Sequence, residues 1–184
     1  VLKVADSFVK YKALQQRTGA NAFPFSLTLN SSINYRAARY TDGIDHERTD
    51  RISYYHTAIF ARKWSPSIST LFSPGLVHWN MVPGRDDPNT TLHATLGGRI
   101  KLNKRIALTG EFSLMNNSTL SDGSTFTVPG GVGIDIETGG HVFQIHLSNT
   151  RAMSNPYWLS RNTFSALDGS LFLGFNISRV FTVR

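Results

Sequence analysis

The sequence predicts an all-β protein, an antiparallel transmembrane up-and-down β-barrel, and three observations favour this class. Apolar and polar residues alternate with the two-residue period of a strand in most segments, and no segment shows the 3.6-residue period of a helix. The connections between these segments alternate between short and long. An antiparallel meander with tight turns at one end and long loops at the other is typical of an outer-membrane barrel. We therefore expect a single domain over residues 1–184 with essentially no helix.

Four strands are predicted in the first half of the chain, over residues 6–16, 23–36, 51–64 and 68–82. The second is the clearest, because five of its six odd positions from Phe25 to Tyr35 are apolar and none of the even ones is. The third and fourth are less regular, since apolar residues fall on both faces and Pro74-Gly75 indicates a bulge or bend. All four reach the length of roughly 9–11 residues that a strand needs to cross a membrane.

Five further strands complete a set of nine, over residues 90–103, 105–115, 130–138, 141–149 and 169–182. The fifth and sixth alternate strictly, with Leu96 and Leu108 on their apolar faces. Gly139-Gly140, between the seventh and eighth, is a two-residue turn of the type that needs positive φ. The ninth continues through Phe181 towards the C-terminus. The long connections are residues 37–50, 116–129 and 150–168.

The composition excludes several classes of protein. Among the 184 residues, 19 are Lys or Arg and 12 are Asp or Glu, so the formal net charge is +7. Charged residues make up 17% of the chain, compared with about 25% in an ordinary soluble domain. The absence of cysteine excludes disulfide scaffolds, thiolate metal sites and cysteine nucleophiles. No run approaches the roughly 18 consecutive apolar residues of a membrane helix, so spanning by a helix is excluded.

The polar face of the strands decides between a membrane barrel and a soluble one. A soluble outer face is usually rich in Lys and Glu, whereas this face carries small uncharged side chains such as Ser26, Thr95 and Ser113. Such side chains suit a hydrated interior, with the apolar face turned towards lipid. Aromatic residues near strand ends could form girdles at the membrane interfaces, or be core or rim residues of a soluble barrel; they are Tyr35, Trp64, Trp79, Phe112 and Phe181.

The ends of the chain lead to an expectation about closure of the barrel. The chain starts at Val1 with neither Met nor a charged-then-apolar leader, so we expect a processed or truncated product. Bacterial single-chain barrels have even strand numbers and both termini on the periplasmic, short-turn side. Nine strands that begin on the long-loop side imply an odd number of strands upstream. Backbone groups on an open edge cannot stay unpaired in lipid, so this chain is not expected to close alone.

Five segments resemble a known family; they are Phe8–Lys12, Ile59–Lys63, Gly98–Leu102, Gly133–His146 and Phe175–Phe181. They resemble a domain-of-unknown-function family of β-barrel proteins from Bacteroidetes-type Gram-negative bacteria, over essentially the whole chain. The resemblance implies an outer-membrane barrel of about twelve strands, of which this chain is the C-terminal portion, with a signal peptide and about three more strands before Val1. It implies no activity and no catalytic residues. Residues 150–168 look divergent, as an external loop would.

The hairpin of the seventh and eighth strands carries the densest group of candidate residues. With Gly139-Gly140 as a two-residue turn, Asp135 faces Gln144 across the hairpin. The polar face then carries Asp135, Glu137, Gln144 and His146. Such a group could bind a divalent cation or carry protons. Alternatively, it forms an internal salt-bridge and hydrogen-bond network with Lys and Arg from other strands, which interior charges need whatever the function.

Basic residues gather near the short-turn ends of the strands: Lys10, Lys12, Arg62, Lys63, Arg99, Lys101 and Arg105. A ring of fixed positive charge favours anions in a pore. Alternatively, these side chains neutralise interior carboxylates or anchor at lipid headgroups. The candidates for lining the lumen are Lys10, Lys12, Arg99, Lys101, Arg105, Glu111, Asp135, Glu137, Gln144 and His146.

No cofactor, metal site or catalytic residue is predicted. The histidines lack zinc-ligand spacing, and no serine lies in a nucleophile-elbow motif. The acidic segments 42–45 and 84–87 fit solvated turns better than loose calcium sites. The positive charge is spread among the strands without a nucleic-acid motif, so no nucleic-acid partner is expected.

The function expected from these features is a narrow passive channel for small polar or anionic solutes in the bacterial outer membrane. A barrel of about twelve strands has an interior that side chains or a plug can fill. The alternative is a structural or docking subunit of an envelope complex that uses the three long loops as its contact surface. A membrane-embedded enzyme is the third hypothesis, and we expect the protein not to be one. Outer-membrane lipid is the expected partner, with other envelope proteins on the long loops in the docking alternative.

Overall fold

A computed structural model describes residues 3–38, 40, 43 and 45–179. Within them the chain forms one nine-stranded antiparallel sheet, in which each strand pairs with its neighbours in sequence. The strands are β1 (Val4–Leu14), β2 (Ser26–Arg36), β3 (Ile52–Lys63), β4 (Ile68–Trp79), β5 (Thr90–Lys101), β6 (Ile106–Met115), β7 (Gly130–Thr138), β8 (His141–Ser148) and β9 (Phe172–Arg179). The end of the last predicted strand, Phe181 and part of the acidic segment 42–45 lie outside the described residues.

The sheet confirms the predicted all-β antiparallel meander. Every predicted strand is present, and its described ends differ from the prediction by no more than three residues. Strands β1 and β9 do not pair within the described part of the chain, so the sheet is not closed there. The predicted total of about twelve strands finds no support in this arrangement.

The expectation of essentially no helix is wrong in the last long connection. A six-residue helix α1 (Asn155–Ser160) forms there, and a 3₁₀ turn covers Thr49–Arg51. Pro156 lies in the first turn of α1, where its missing N–H costs no hydrogen bond. Six residues are too few for a 3.6-residue period to show in the sequence. No helix in the described residues is long and apolar enough to cross a membrane.

The predicted bulge at Pro74-Gly75 is also wrong. The pairs Thr57↔Gly75 and Phe60↔Phe72 belong to one continuous register between β3 and β4, and the ladder to β5 runs through Pro74↔Ala94. Pro74 has no N–H to donate, so pairing with β3 lapses beside it without an inserted residue. A register shift occurs instead in β1, between Lys12 and Leu14.

The register sorts the side chains into a polar concave face and an apolar convex face. In β2, Asn30, Ser32 and Asn34 are buried on the concave face, whereas the convex residues Leu29 and Ile33 are 46% and 52% exposed. The same alternation continues around the sheet, since residues directly opposite in an antiparallel pair share a face. This polarity is the inverse of a soluble sheet and matches the predicted orientation of a membrane barrel.

Three large residues at the long-loop end of the concave face belong to the hydrophobic core. Tyr55, Val77 and Trp79 are buried on this face together with Leu159 of α1. The core therefore lies inside the curve of the sheet, at the end of the strands where the long loops emerge. This cluster accounts for the apolar residues at the long-loop end of the concave face of β3 and β4, whereas Ile59 and Leu71 lie on the same face nearer the short turns.

Candidate functional site

The concave face is occupied at its long-loop end by residues 150–168, which we call the plug. The Ser154 hydroxyl donates to Asp6 Oδ1 of β1 at 3.2 Å and to Asn34 Oδ1 of β2 at 3.4 Å. Trp79 Nε1 of β4 donates to Ser160 Oγ of α1 at 2.9 Å. The plug thus touches strands on both sides of the concave face. Residues 150–168, which the sequence suggested as an external loop, fold back onto the concave face.

Local sequence explains how the plug folds. Ser160 Oγ donates back to the Pro156 carbonyl at 2.8 Å, which closes the single helical stretch of α1. Tyr157 packs edge-on against Trp79 with the ring centroids 4.8 Å apart. Burying these aromatic rings supplies the stabilisation that so short a helix lacks by itself.

Two other connections, residues 83–89 and 116–129, are joined to each other and to the plug by hydrogen bonds. We call these two connections and the plug together the cap (residues 83–89, 116–129 and 150–168). Asp87 accepts hydrogen bonds from the backbone N–H groups of Ser121 at 2.6 Å and Gly84 at 2.8 Å. The Ser121 N–H, as the main cause, lowers the pKa of Asp87 below its usual value. Thr127 N–H donates to the Asn162 carbonyl at 2.8 Å. The acidic segment 84–87 is therefore an ordered turn that joins two loops.

Arg161 fills the space between the plug and the wall. Its guanidinium carbon lies 4.7 Å from the ring centroid of Trp79 and 5.4 Å from that of Phe126. Burial lowers the pKa of Arg161. Cation–π contacts of this kind favour a cation that has lost part of its water shell.

Below the plug, four residues of adjacent strands form a transverse row on the concave face. The register places Asn30, Thr57, Gly75 and His93 side by side. Asn30 Oδ1 and His93 Nε2 are buried and have no hydrogen-bond partner in the protein. We call these four residues the polar row. A buried polar atom without a partner is costly unless water or a solute reaches it.

The side chain of His93 fits the polar row because Gly75 has none. A Cβ at Gly75 would lie 2.6 Å from His93 Nε2 and 2.8 Å from the Thr57 Cβ. The His93 ring stacks on Tyr55 with centroids 5.4 Å apart, which links the row to the core under the plug. Beside it, the hydroxyls of Thr57 and Ser73 and those of Thr95 and Ser113 pair at 2.6 Å.

Further towards the short-turn end lies the predicted hairpin cluster, now with its partners. Asp135 faces Gln144 as predicted, and Gln144 Nε2 donates to Asp135 Oδ1 at 2.9 Å. Arg99 binds both carboxylates, with Nε 3.1 Å from Asp135 Oδ2 and a terminal nitrogen 2.7 Å from Glu137 Oε1. Lys101 Nζ lies 3.4 Å from Glu137 Oε1. The geometry corresponds to the internal network rather than to a metal or proton site.

This network crosses one strand, and a small residue makes the crossing possible. Ala107 of β6 stands opposite both Lys101 and Asp135, and it is 1% exposed. The long side chains of β5 pass over it to reach β7. No group of three or more metal-ligating side chains is found among the described residues.

The remaining predicted residues lie apart from this network. Glu111 and His146 are on the concave face, next to Gly131 and Gly133 of β7. Lys10 and Lys12 project from β1 on the same face, opposite Asn30 and Thr28, and both are exposed. Arg105 precedes β6, where its carbonyl accepts the Glu137 N–H at 2.7 Å.

The predicted aromatic girdle is only partly formed. The prediction is wrong for Trp79, because this residue lies on the concave face and packs under the plug. Trp64 is 58% exposed beyond the short-turn end of β3, where the convex Arg62 stacks on its ring. Tyr35 and Phe112 lie on the convex face, with Phe112 well inside its strand.

Sequence reasoning missed the residues that hold the plug and the unpartnered pair of the polar row. Its one signal was the loss of strict alternation in the third and fourth strands, where Tyr55, Val77 and Trp79 lie on the mostly polar face. That signal indicates that something apolar covers this face. Which segment does so depends on contacts between distant parts of the chain, which periodicity does not record.

Comparison with family models shows a match over nearly the whole chain. A model described as a membrane bound beta barrel domain (DUF5777) matches residues 1–181. No curated protein and no solved structure matches the chain. The matched range includes the whole described sheet, the plug and the charge network.

Proposed function

The chain belongs to this membrane-bound β-barrel family, and from that premise we propose that it is a narrow outer-membrane channel for small polar solutes, closed at its long-loop mouth by the plug. The passage is the hydrated space along the concave face. No chemical reaction is part of the proposal, and the surrounding partner is outer-membrane lipid.

The observation that carries the proposal is the polar row. Asn30 Oδ1 and His93 Nε2 lie on a face of hydroxyl and amide groups with no protein partner for either atom. Buried polar atoms in native proteins are nearly always satisfied by protein or water. Neither atom is accessible to solvent in the closed state, so in this proposal water or a solute satisfies them when the plug opens.

The charge network argues for weak ionic selectivity. Arg99 and Lys101 bring two positive charges, and Asp135 and Glu137 bring two negative charges within 3.4 Å of them. A pore selects anions when the fixed cations on its wall are uncompensated. The proposal therefore favours small polar solutes over the anionic ones considered from the sequence.

The plug is the part that opens. The apolar core beneath it consists of Tyr55, Val77, Trp79 and Leu159, with Val82 packed against them. Ser154 and Ser160 hydrogen-bond to β1, β2 and β4, and the Thr150 N–H donates to Ser148 Oγ of β8 at 3.3 Å. Asn162 and Phe164 hydrogen-bond to Thr127 of the cap. In this proposal the plug opens locally while the strand ladders stay intact, because connections generally have a lower local stability than the strands that they join. Opening of the plug would uncover the polar row.

The test is electrical. In planar bilayers we expect the full-length protein to conduct rarely, and a variant with residues 155–160 replaced by a Gly-Ser linker of equal length to show persistent, discrete conductance. The matched control changes Met153 and Leu167 to Ser, because both lie in the same segment and are 98% exposed. A folded variant that stays silent without α1 contradicts the channel.

The cap favours a second candidate, a docking subunit of an envelope complex. Its three loops are held to one another by the hydrogen bonds of Asp87 and Thr127, and an ordered surface binds a partner at a lower entropic cost than mobile loops do. Stoichiometric co-purification of another envelope protein, lost when the exposed loop tip 121–124 is replaced, would favour this role. Conductance without any partner would favour the channel.

A further inference from the structure

A groove of about 960 Å³ crosses the convex, lipid-facing side of the sheet. It lies between two adjacent transverse rows of convex residues. Its upper wall is formed by Phe60, Phe72, Leu96 and Phe112, which stand side by side on β3 to β6. Its lower row consists of Arg62, Thr70, Gly98, Gly110 and Val132 on β3 to β7.

Two glycines create the groove. Gly98 and Gly110 stand directly opposite each other, so no side chain fills the lower row between Thr70 and Val132. A Cβ at Gly98 would meet nothing closer than the Ser69 carbonyl at 3.8 Å, which shows how open this part of the surface is. The aromatic rings of the upper wall stand over this glycine floor.

The groove runs obliquely across the sheet, from the short-turn end of β3 to the long-loop end of β7 and β8, where Leu147 and Leu171 line it. Arg62 lies one residue from the short-turn end of β3, Gly110 four residues from that end of β6, and Val132 six residues from that end of β7. This oblique course follows from the stagger of tilted strands in a barrel. From Arg62 to Gly110 the groove crosses three strand spacings, or roughly 14 Å.

The positively charged side chain of Arg62 lies at the lower end of the groove. The Arg62 guanidinium carbon lies 3.9 Å from the Trp64 ring centroid, and Trp64 Nε1 is fixed by donating to Thr70 Oγ1 at 2.8 Å. No carboxylate pairs with Arg62 in the described part of the chain. Tryptophan at a strand end is typical of the headgroup region, and a guanidinium binds phosphate through two parallel hydrogen bonds.

We propose that this groove is a binding site for one glycerophospholipid molecule of the leaflet at the short-turn end. Arg62 binds the phosphate at the rim, and one acyl chain lies along the groove over Gly98 and Gly110, against the rings of Phe72 and Phe112. The fit rests on charge complementarity at one end and an apolar floor that rises into the bilayer from there. The proposal requires a membrane barrel and is independent of conduction.

The test is native mass spectrometry of the purified, delipidated full-length protein titrated with phosphatidylglycerol. We expect one tightly bound lipid per chain, about tenfold weaker binding for Arg62→Gln, and partial retention for Arg62→Lys. Gly98→Leu fills the groove floor and should abolish the tight site, with Gly98→Ala as a milder version that keeps the fold. Lys104→Gln removes a charge from a short turn at the same end, outside the groove, and should bind like the wild type.

Other outcomes overturn the proposal. Full competition by inorganic phosphate would indicate a simple anion site at Arg62. Loss of lipid binding in Arg62→Gln but not in Gly98→Leu would mean that the acyl chain does not lie in the groove. A dimer that dissociates in the same variants would identify the groove as a contact between two copies. Equal binding by all variants would leave only the unspecific lipid belt that surrounds any membrane protein.

Discussion

At the scale of single residues, glycines decide where the concave histidines lie. The ring of His93 in β5 occupies the space above Gly75 in β4. In the same way, the ring of His146 in β8 occupies the space above Gly174 in β9. In both places a glycine of one strand leaves room for the histidine side chain of the neighbouring strand. A concave wall that carries large polar rings needs such gaps, because neighbouring strands lie only about 4.8 Å apart.

This arrangement predicts the effect of one methyl group. Gly75→Ala places a Cβ against the His56 carbonyl and within 2.8 Å of Thr57 Cβ, so strand β4 or the His93 ring has to move. We expect a loss of about 1–3 kcal/mol in the free energy of unfolding, the usual cost of overpacking. Urea unfolding in detergent micelles measures it. Gly98→Ala is the control, since its Cβ meets no atom closer than 3.8 Å, and equal losses in both variants would contradict the explanation.

The charge network gives a second prediction at this scale. Asp135→Asn combined with Glu137→Gln leaves Arg99 and Lys101 without their compensating carboxylates. In the variant without α1, we expect the reversal potential under a salt gradient to shift towards anion selectivity, because uncompensated cations then line the passage.

Asp45→Asn combined with Glu47→Gln is the matched control for this measurement, because it also removes two negative charges from exposed loop residues. Both residues lie away from the network, and their loss changes the net charge without changing the passage. A reversal potential that is the same in all variants would mean that the network does not face the conducting path.

At the scale of elements, β3 and β4 show how far local patterns reach. Strands such as β2, β5 and β6 were predicted well, because alternation is a local property and each face has one environment. In β3 and β4 the concave face carries Tyr55, Val77 and Trp79 under α1, and also Ile59 and Leu71 nearer the short turns. The alternation is therefore weaker there in the sequence, and the bulge that Pro74-Gly75 indicated is absent from the register. α1 itself lacks the length that a helical period requires.

The position of the plug can be tested by cross-linking. The chain has no cysteine, so a pair can be introduced without competing thiols. Ser154 Oγ lies 3.2 Å from Asp6 Oδ1 on the concave face of β1. We expect Asp6→Cys with Ser154→Cys to form a disulfide under mild oxidation, visible as a mobility shift in gel electrophoresis that reductant reverses.

The control for the cross-link uses the next residue of the same strand. Ala5→Cys with Ser154→Cys places one thiol on the convex face, because successive residues of a strand point to opposite sides. This pair should stay reduced. Efficient cross-linking of both pairs would mean that the plug is mobile or lies outside the curve of the sheet.

At the scale of the whole molecule, the distribution of polarity defines the environment. Leu29, Leu96 and Leu108 on the convex face are each more than 40% exposed, while the buried residues of the concave face are mostly hydroxyls, amides and charges. Such a surface is an aggregation hazard in water and is stable in lipid. The described sheet is therefore suited to a bilayer, in agreement with the family to which the chain belongs.

The bilayer predicts that the cost of a convex charge depends on depth. Leu96→Arg, near the middle of β5, should cost about 2–4 kcal/mol, and Ile100→Arg, next to its short-turn end, about 0–1 kcal/mol. Both residues share one strand and one face. The free energy of unfolding in lipid vesicles measures the difference. Equal small costs at both depths would contradict a lipid-facing surface.

The sequence predicted the strands of the sheet but not the plug, the cap or the polar row on its concave face. Strand positions, the meander order and the Asp135–Gln144 pairing follow from residues near one another in the chain. The partners of Asp135 and Glu137 were anticipated as a class, yet Arg99 and Lys101 could be identified only once β5 and β7 were placed on either side of β6. The plug, the cap and the polar row depend on the curvature of the sheet, which no local pattern encodes.

The strict neighbour-to-neighbour order of the sheet lets it form by local steps. Each hairpin from β1 to β8 can form as soon as its two strands exist, because closing a short chain segment costs little entropy. The segment that fills the interior follows β8 in the sequence, and it rests on β3 and β4, which are completed long before it. A chain that forms its hairpins in sequence order thus completes β1 to β8 first, and the plug then folds onto them before β9 is added.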